Sequence, residues 1–483
     1  MKKTVQYIVF AFLFIAAAFL SSCLDNEARM KSILEVEKDT TGPSLLDKIK
    51  ERGKLVAITD YNSTSYFVYR GTPMGYQYEM LKLLAENLDV KLEIKVENDL
   101  ENGFRMLHEG KVDLIGVGLT VTKDRSKEVD FTDPFTQTRQ VLVQRKPDNW
   151  RKMSTWDEVE EAMVRNPLEL AGDTIHIQKN TSYYNRLHNL SDEIGDTIFI
   201  LEDPEHEVEE LIKMVAAGDI DYTVADEHIA LVNEKYYANI DVRTPISFPQ
   251  NVAWAVKKGS DSLRIRINDW IQEYKNSMLA RVIYNKYFKN PRSVNIAQSE
   301  YHSIKGGRIS RYDEIIRQVS DKYNLDWRLL ASLIYQESNF KPDARSWVGA
   351  YGLMQLMPTT ADMYGIDTTS SPAEQIDAGV KFLHWIDRNL PDEIEEEERL
   401  KFILASYNAG IAHVFDARRL AEKFDKNPNI WTDNVDYYLL NKSKPKFYRD
   451  SVVQYGYCRG EEPYNFVIEI LERYEHYKNV IEN

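Results

Sequence analysis

The residue of this sequence best suited to acid–base chemistry is Glu337, which lies near the end of a stretch with helical spacing. Leu330, Leu333 and Ile334 form an apolar stripe there, and Glu337 continues that stripe. A carboxyl group at the edge of a buried stripe is partly desolvated, which raises its pKa. A general acid that works near neutral pH requires such a pKa. From spacing alone, a glutamate that faces solvent or pairs with a cation is the alternative.

The elements that must position Glu337 are helices. Beyond Arg308 the strand-like patterns largely disappear, and helical periodicity predicts a mainly α domain over residues 309–483. Asp326 is the expected N-cap of the helix that carries Glu337. The predicted helices of this domain are Tyr312–Tyr323, Trp327–Ser338, Ala373–Asn389, Leu400–Asn408 and Tyr464–Tyr474.

The region before this domain, residues 45–290, has a mixed pattern. Short β-branched runs alternate with helical stretches, which favours parallel sheets covered by helices. A second set of such runs begins near Asp173, so we expect two similar lobes with a cleft between them. In residues 291–308 the α/β pattern lapses into Pro, Ser, Gln, Lys and a Gly-Gly pair, and this segment is predicted to be a linker. The chain is therefore predicted to be multidomain, with a two-lobed α/β module before the α domain.

Several motifs of the α domain follow one another in the order and spacing of a known family. The motifs are Glu337–Phe340, Ala344–Ser346, Gly349–Pro358 and Ser406–Gly410. Together they resemble the lytic transglycosylase domain of the soluble type, which has a lysozyme-like fold. The resemblance implies a carbon–oxygen lyase that cleaves the β-1,4 bond between N-acetylmuramic acid and N-acetylglucosamine in peptidoglycan. Glu337 would protonate that bond and then, as a base, activate the muramoyl C6 hydroxyl, which closes a 1,6-anhydro ring.

The same resemblance implies which residues bind the glycan. Ser346 would hydrogen-bond the Glu337 carboxyl group or the substrate, and Gly352 would let the backbone approach a sugar closely. Asn408 would reach an acetamido group, although a structural amide at a helix end is the alternative. The other expected substrate-binding residues are Gln355, Met357, Tyr407 and Glu462, and Tyr407 could equally be a packing residue. No cofactor and no metal ion are expected.

One position departs from the family pattern. The segment Gly460–Val467 aligns with an element that usually has a tyrosine just before its final valine, and this chain has Phe466 there. A phenol that bonds to the catalytic acid is then either lost or replaced by Tyr464 or Tyr457. The departure leaves open what sets the pKa of the acid.

A second resemblance covers most of Leu55–Lys289. The segments Asp113–Arg125 and Val129–Phe135 are similar to the signature of periplasmic solute-binding proteins of the amino-acid-binding type. In that family an arginine clamps the ligand carboxylate with help from groups near a threonine, and a late aspartate receives the ligand ammonium. The matching residues here are Arg125, Thr120 and Asp226. The resemblance implies an amino acid or muropeptide ligand and a sensing or targeting role.

Alternatives remain for both charged ligand residues. Arg125 could instead form a surface ion pair with Asp124 or Glu128, and the neighbour Glu227 is as available to a ligand as Asp226. A cation and an anion on opposite walls of a cleft nevertheless suit a zwitterion, and its binding would close the lobes by hinge motion.

The N-terminus predicts export and lipidation. Two basic residues precede the apolar run Ile8–Leu20, which is too short to span a bilayer. The run ends in a lipobox-like sequence at Cys23, so residues 1–22 are predicted to be a lipoprotein signal peptide and residues 23–44 a tether. Lipid on Cys23 would anchor the protein. We expect this anchor to lie in the outer membrane, with the protein facing the periplasm. An ordinary signal peptide that contains a cysteine is the alternative.

Composition argues against a nucleic-acid-binding protein and against a fold stabilised by internal disulfides. The 483 residues carry a formal net charge of −15, which argues against a nucleic-acid partner. The chain has only two cysteines, so Cys458 has no partner for an internal disulfide once Cys23 is lipidated. Two other functions remain open: hydrolysis by the same fold, which would give reducing ends, and a receptor whose α domain only binds glycan.

Overall fold

The computed structural model describes residues 42–290 and 308–481. The predictions on the signal peptide, on Cys23 and on most of the tether and linker lie outside these residues. The described residues form two compact units. The N-terminal unit runs to Tyr66 and resumes at Gly75, and the C-terminal unit consists of Phe67–Met74 and the described residues from Arg308 onward.

The elements below are numbered along the chain. The strands are β1 (Lys54–Thr59), β2 (Phe67–Tyr69), β3 (Thr72–Met74), β4 (Lys91–Val96), β5 (Leu114–Thr120), β6 (Val129–Phe131), β7 (Thr136–Thr138), β8 (Gln140–Arg145), β9 (Thr174–Gln178), β10 (Phe199–Asp203), β11 (Tyr222–Asp226), β12 (Ile240–Pro245) and β13 (Gln250–Lys257). The helices before residue 290 are α1 (Leu45–Arg52), α2 (Tyr76–Asn87), α3 (Leu100–His108), α4 (Arg125–Glu128), α5 (Trp156–Glu161), α6 (Tyr183–Ile194), α7 (Val208–Ala217), α8 (Glu227–Glu234), α9 (Asp261–Asn276) and α10 (Met278–Tyr284). The later helices are α11 (Asp313–Tyr323), α12 (Trp327–Ser338), α13 (Pro358–Met363), α14 (Pro372–Asn389), α15 (Glu396–Ala409), α16 (Ile411–Lys423), α17 (Asp436–Leu440), α18 (Pro445–Tyr448) and α19 (Glu461–Val480).

The N-terminal unit contains two β-sheets, one for each predicted lobe. The first has the strand order β4-β1-β5-β13-β6, with β7 paired to β13, and the second has the order β10-β9-β11-β8-β12. Strands β4, β1 and β5 are parallel, as are β10, β9 and β11. The sheets are mixed rather than purely parallel, because β13 in the first and β8 and β12 in the second run antiparallel to their neighbours. The predicted two-lobed α/β architecture is otherwise confirmed.

The C-terminal unit is mainly helical, as the periodicity predicts. Helix α12 spans the predicted residues Trp327–Ser338 and begins after Asp326, whose side chain accepts a hydrogen bond from the Arg328 backbone N–H. The helix packs against α19 and α11, and its apolar stripe belongs to the core of the unit. In the described ranges, no helix combines the length and apolar character needed to cross a bilayer.

The hairpin formed by β2 and β3 departs from the predicted domain boundaries. It lies within residues 45–290 of the sequence but packs with the helices of the C-terminal unit. Val68 is fully buried in the core of that unit. The Tyr477 hydroxyl donates to the Gly71 carbonyl at 2.9 Å, and the Thr72 hydroxyl lies 2.8 Å from that of Tyr335. Short strands that pair with each other and pack on distant helices carry no sequence signal for the unit they join.

Candidate functional site

The C-terminal unit presents Glu337 in the last turn of α12. The residues of the predicted stripe, Leu330, Leu333 and Ile334, are all buried, so the stripe faces the core as expected. Glu337 lies at its end and keeps partial access to solvent. The next residues, Asn339 and Phe340, have φ angles of 49° and 60°, so the chain turns sharply away as the helix ends. The carboxyl group therefore lies at the boundary between core and solvent.

The Glu337 carboxyl group is desolvated without compensation. Burial raises its pKa from 4.5 to about 8. Among the residues that the structure describes, none hydrogen-bonds or ion-pairs with this carboxyl group. The alternative of a paired glutamate at a helix end is therefore not what the structure has. A carboxyl group with this pKa holds its proton at neutral pH and can donate it.

Tyr407 on α15 is the phenol next to this carboxyl group. It is buried, and both burial and the charge of Glu337 raise its pKa. Its hydroxyl donates to the Met354 carbonyl at 2.6 Å, and its ring packs on Phe382 with centroids 5.3 Å apart. Because its proton is committed to Met354, the phenol oxygen can only accept a further hydrogen bond. Tyr407 thus combines the two predicted possibilities, packing and a place at the site.

The other phenols that the sequence offered do not act on Glu337. Phe466 is buried in the core. Burial, with the charges of Asp436 and Asp433, raises the pKa of Tyr464. Tyr457 is 57% exposed and packs on Tyr448. The sequence alone gave no reason to expect Tyr407 in place of the missing phenol, because Tyr407 and Phe466 lie on different helices.

The segment from Ala344 to Gln355 forms a loop that is braced by its own hydrogen bonds. The Ser346 hydroxyl oxygen accepts from the Ala350 backbone N–H at 3.0 Å, and the Gln355 amide donates to the carbonyls of Ala344 and Gly352 at 3.0 and 2.8 Å. The structure does not bring Ser346 into a hydrogen bond with Glu337. The Ser346 proton and the Gln355 carbonyl oxygen are the groups left for a ligand.

Position 352 must be a glycine because the side chain of Gln375 leaves no room for a Cβ atom there. A Cβ atom at this position would lie 2.5 Å from Oε1 of Gln375, and the backbone φ is 82°. That same oxygen accepts a hydrogen bond from the Leu353 backbone N–H at 2.8 Å. The sequence suggested a glycine for close approach of a sugar, and the structure gives a second reason that involves Gln375, a residue no motif indicated.

The remaining predicted substrate residues are surface groups. Met357 is 43% exposed and precedes α13, and Asn408 is exposed in the last turn of α15, just before Gly410. Glu462 is exposed in the first turn of α19 and forms an ion pair with Arg459 at 2.9 Å. In the described parts of the chain, no group of three or more His, Cys, Asp or Glu side chains is arranged to hold a metal ion.

In the N-terminal unit, the predicted ligand residues lie at the carboxyl ends of strands. Arg125 follows β5, and one of its guanidinium nitrogens donates to the Thr120 carbonyl at 3.3 Å. It forms no ion pair with Asp124, which instead pairs with Lys127. Burial lowers the pKa of Arg125, which is what a guanidinium turned away from solvent experiences.

Asp226 is the last residue of β11, and the charge of Arg125 acts on it. It is 9% exposed, and burial raises its pKa to about 7, with the Arg125 charge opposing the rise. Its neighbour Glu227 is taken by an ion pair with Arg139, and His228 lies 3.1 Å from the Thr138 hydroxyl. Asp226, and not the neighbouring Glu227, is therefore the carboxylate that interacts with Arg125.

Comparisons with known proteins cover both units. The family described as bacterial extracellular solute-binding proteins, family 3, matches residues 54–290, and the transglycosylase SLT domain matches residues 314–430. Both resemblances inferred from the motifs are confirmed by these matches. An ancestral amino acid-binding protein of solved structure is 25% identical and covers 51% of this chain and 100% of its own, with a TM-score of 0.41.

Two relatives extend over both units. The membrane-bound lytic murein transglycosylase F of Desulfosudis oleivorans is 35% identical over 89% of this chain and 90% of its own length. The protein of the same name from Stutzerimonas stutzeri is 32% identical over 90% of this chain and 86% of its own.

Proposed function

We propose that Glu337 is the catalytic acid and base of this chain, which belongs to the membrane-bound lytic murein transglycosylase F family and is therefore a peptidoglycan lytic transglycosylase. The observation that carries this proposal is the unpaired carboxyl group with a pKa of about 8 at the end of α12. At pH 7 about nine tenths of such groups hold a proton. A glutamate with its ordinary pKa of 4.5 would hold almost none.

The proposed reaction uses one carboxyl group twice. The Glu337 carboxyl donates its proton to the oxygen of the bond between N-acetylmuramic acid and N-acetylglucosamine, and the bond from C1 to that oxygen breaks. The resulting carboxylate takes the proton of the muramoyl C6 hydroxyl, whose oxygen bonds to C1 and forms the 1,6-anhydro ring. No water is consumed, and the carboxyl group ends protonated as it began.

The surroundings of Glu337 support this route over hydrolysis. Glycoside hydrolases usually use two carboxyl groups, one on each side of the bond. Burial is the cause that raises the Glu337 pKa, and no charge of a second described carboxylate contributes to it. An intramolecular hydroxyl fills the role that a second carboxylate, or the water it activates, would have.

The residues around the acid have proposed supporting roles. The Tyr407 oxygen is available to accept a hydrogen bond from protonated Glu337, because its own proton is committed to Met354. Ser346, Gln355, Met357 and Asn408 contact the glycan, and Gly352 keeps their loop in place against Gln375. Glu462 orients the start of α19 through Arg459.

The test is digestion of purified peptidoglycan by the full chain in detergent, followed by mass spectrometry of the products. We expect muropeptides with 1,6-anhydro ends, and we expect Glu337→Gln to form none. The matched control is Glu314→Gln, which removes an exposed carboxylate from α11 of the same unit and should leave the rate unchanged. Reducing ends instead of anhydro ends, or full activity of Glu337→Gln, would refute the proposed chemistry.

We further propose that this cell-envelope protein is a lipoprotein of the outer membrane, anchored through Cys23 and facing the periplasm. The lipobox-like sequence before Cys23 supports this proposal. Lipid labelling of the wild type and of Cys23→Ala tests it, with label expected only on the wild type.

We also propose that the N-terminal unit binds an amino acid or the peptide of a muropeptide as a regulatory ligand. Arg125 and the groups at Thr120 would hold the ligand carboxylate, and Asp226 would hold its ammonium group. The support is the electrostatic interaction of half-buried Arg125 with buried Asp226, which a zwitterion can replace with two ion pairs.

A further inference from the structure

Trp347 differs from every other tryptophan of this chain. Its side chain is 92% exposed, and among the described residues it makes no hydrogen bond and no ring contact. The other seven tryptophans are buried or pack against a second aromatic ring, and they are Trp150, Trp156, Trp254, Trp270, Trp327, Trp385 and Trp431. The exposure of Trp347 is therefore a property of its place in the fold.

That place is a tight turn, Ser346–Gly349. The Gly349 backbone N–H donates to the Ser346 carbonyl at 3.1 Å, and the Ser346 backbone N–H donates to the Ala350 carbonyl at 2.9 Å. The Ser346 hydroxyl accepts from the Ala350 N–H, and Gly349 has a φ of 96°, which favours glycine. The turn is therefore rigid, and its two central side chains, Trp347 and Val348, are presented with little backbone entropy left to lose on binding.

The turn belongs to the loop that is bonded to the end of α12. Arg345 and Tyr351 form a β-bridge at the base of the turn. The Ser338 hydroxyl donates to the Leu353 carbonyl of the same loop at 2.9 Å. Ser338 directly follows Glu337, so the loop is attached to the helical turn that carries the proposed acid.

Exposed apolar side chains continue from this turn toward α13. Val348 is 49% exposed and Met357 is 43% exposed. A Cβ atom at Gly349 would lie 3.9 Å from the Pro358 ring, so the turn lies against the first residue of α13. Trp347, Val348 and Met357 therefore border one exposed apolar surface, and a surface of this kind indicates a binding site.

The chemistry of this surface suits a sugar ring better than a stem peptide. None of the three side chains has a charge, so none of them selects the carboxylate or ammonium groups of a peptide. A β-linked pyranose has two faces of C–H groups, and weakly positive hydrogens pack well on the negative face of an aromatic ring. The indole also has one N–H group, which can donate to a sugar hydroxyl.

We propose that Trp347 binds a pyranose ring of the glycan strand next to the bond that is cleaved, with the indole face stacked on the C–H face of the sugar. The inference rests on the proposed places of Glu337 and Ser346 at the catalytic site, because Trp347 directly follows Ser346. The contact is apolar and does not change as the bond breaks. It therefore adds affinity for the strand and leaves the chemical step unaltered.

The probe is the β-1,4-linked tetramer of N-acetylglucosamine, titrated into the full chain in detergent and followed by calorimetry. The chain has the substitution Glu337→Gln, which prevents cleavage, and mass spectrometry of the tetramer after titration checks this. Adding Trp347→Ala should weaken binding at least about tenfold, because the loss of a buried aromatic face costs about this factor. Trp347→Phe keeps a smaller ring and should give an intermediate affinity. The matched control Trp156→Ala removes an exposed indole from the other unit and should leave the affinity unchanged.

Tryptophan emission gives a readout that a merely structural role would not change. An indole that leaves water emits at shorter wavelength, so the tetramer should shift the emission of the parent chain in that direction. Trp347→Ala should lose this shift, and Trp156→Ala should keep it. In peptidoglycan digestion with Glu337 intact, Trp347→Ala should raise the substrate concentration for half-maximal rate and leave the maximal rate within about twofold.

Three results would overturn the proposal. They are absence of tetramer binding, equal affinity with and without the indole, and a defect of Trp347→Ala in binding free stem peptide instead of the tetramer. The binding assay does not depend on the identity of the acid. Tetramer binding that requires Trp347 supports the proposal even if Glu337→Gln still digests peptidoglycan, a result that would refute only the proposed catalytic role of Glu337.

Discussion

Replacing Glu337 by glutamine should stabilise the C-terminal unit at neutral pH while it removes activity. In the folded protein the pKa of this carboxyl group is about 8, whereas its ordinary value is 4.5. The folded state therefore holds a proton that the unfolded chain releases above pH 4.5. Stability falls with rising pH wherever the folded state binds more protons, so the wild type loses free energy of unfolding from pH 4.5 up to about pH 8. Glutamine does not titrate and escapes this loss.

The magnitude follows from the two pKa values. One pKa unit corresponds to about 1.4 kcal/mol. Between pH 4.5 and pH 7 the loss reaches about 3 kcal/mol, and above pH 8 it levels off at about 5 kcal/mol. Below pH 4.5 both states are protonated, and the advantage of Glu337→Gln should vanish.

The assay is urea unfolding of the full chain at pH 4, pH 7 and pH 9, with the transition of the C-terminal unit followed by hydrogen-exchange mass spectrometry of peptides from residues 308–481. The measured quantity is the difference in free energy of unfolding between Glu337→Gln and the wild type. The exposed control Glu314→Gln should give only a small difference in free energy of unfolding. A difference for Glu337→Gln that stays constant from pH 4 to pH 9 would refute the desolvated acid and the reasoning built on it.

Three further substitutions test the packing around the site. Tyr407→Phe should lower the free energy of unfolding by about 1–3 kcal/mol in urea titrations, because the buried Met354 carbonyl loses its donor; an unchanged midpoint would contradict that hydrogen bond. Gly352→Ala should cost about 1–3 kcal/mol and lower the rate of peptidoglycan digestion, since its Cβ meets Gln375 at a positive φ; wild-type rate and stability would show that the loop can adapt. Val68→Ala should destabilise the C-terminal unit by about 2–3 kcal/mol, whereas an equal change at a surface valine should cost less than about 0.5 kcal/mol.

The sequence was sufficient to predict elements whose bounds depend on their own residues. Helix α12 has its predicted bounds because an aspartate caps it and because its apolar residues repeat at helical spacing. The raised pKa of Glu337 follows from the same stripe, since a carboxyl group at its end must share the desolvation of the core.

Contacts between distant residues had no such signal. Nothing local indicates that the hydroxyl of Tyr407 is bonded to Met354, or that Gln375 holds the loop at Gly352. Helix α16, Ile411–Lys423, was also missed, because it begins only one residue after the glycine that ends α15.

The hairpin β2–β3 has a consequence for how this protein can be made and divided. The ribosome completes the hairpin long before it makes α19, which supplies the Tyr477 hydroxyl for Gly71 across 406 residues of sequence. The catalytic fold therefore cannot close until α19 has been made, and contacts of such high sequence separation slow folding. A gene fragment that starts at the linker would encode a catalytic half without Val68 in its core. The two halves can be exchanged or shuffled only if the hairpin moves with the half that it completes.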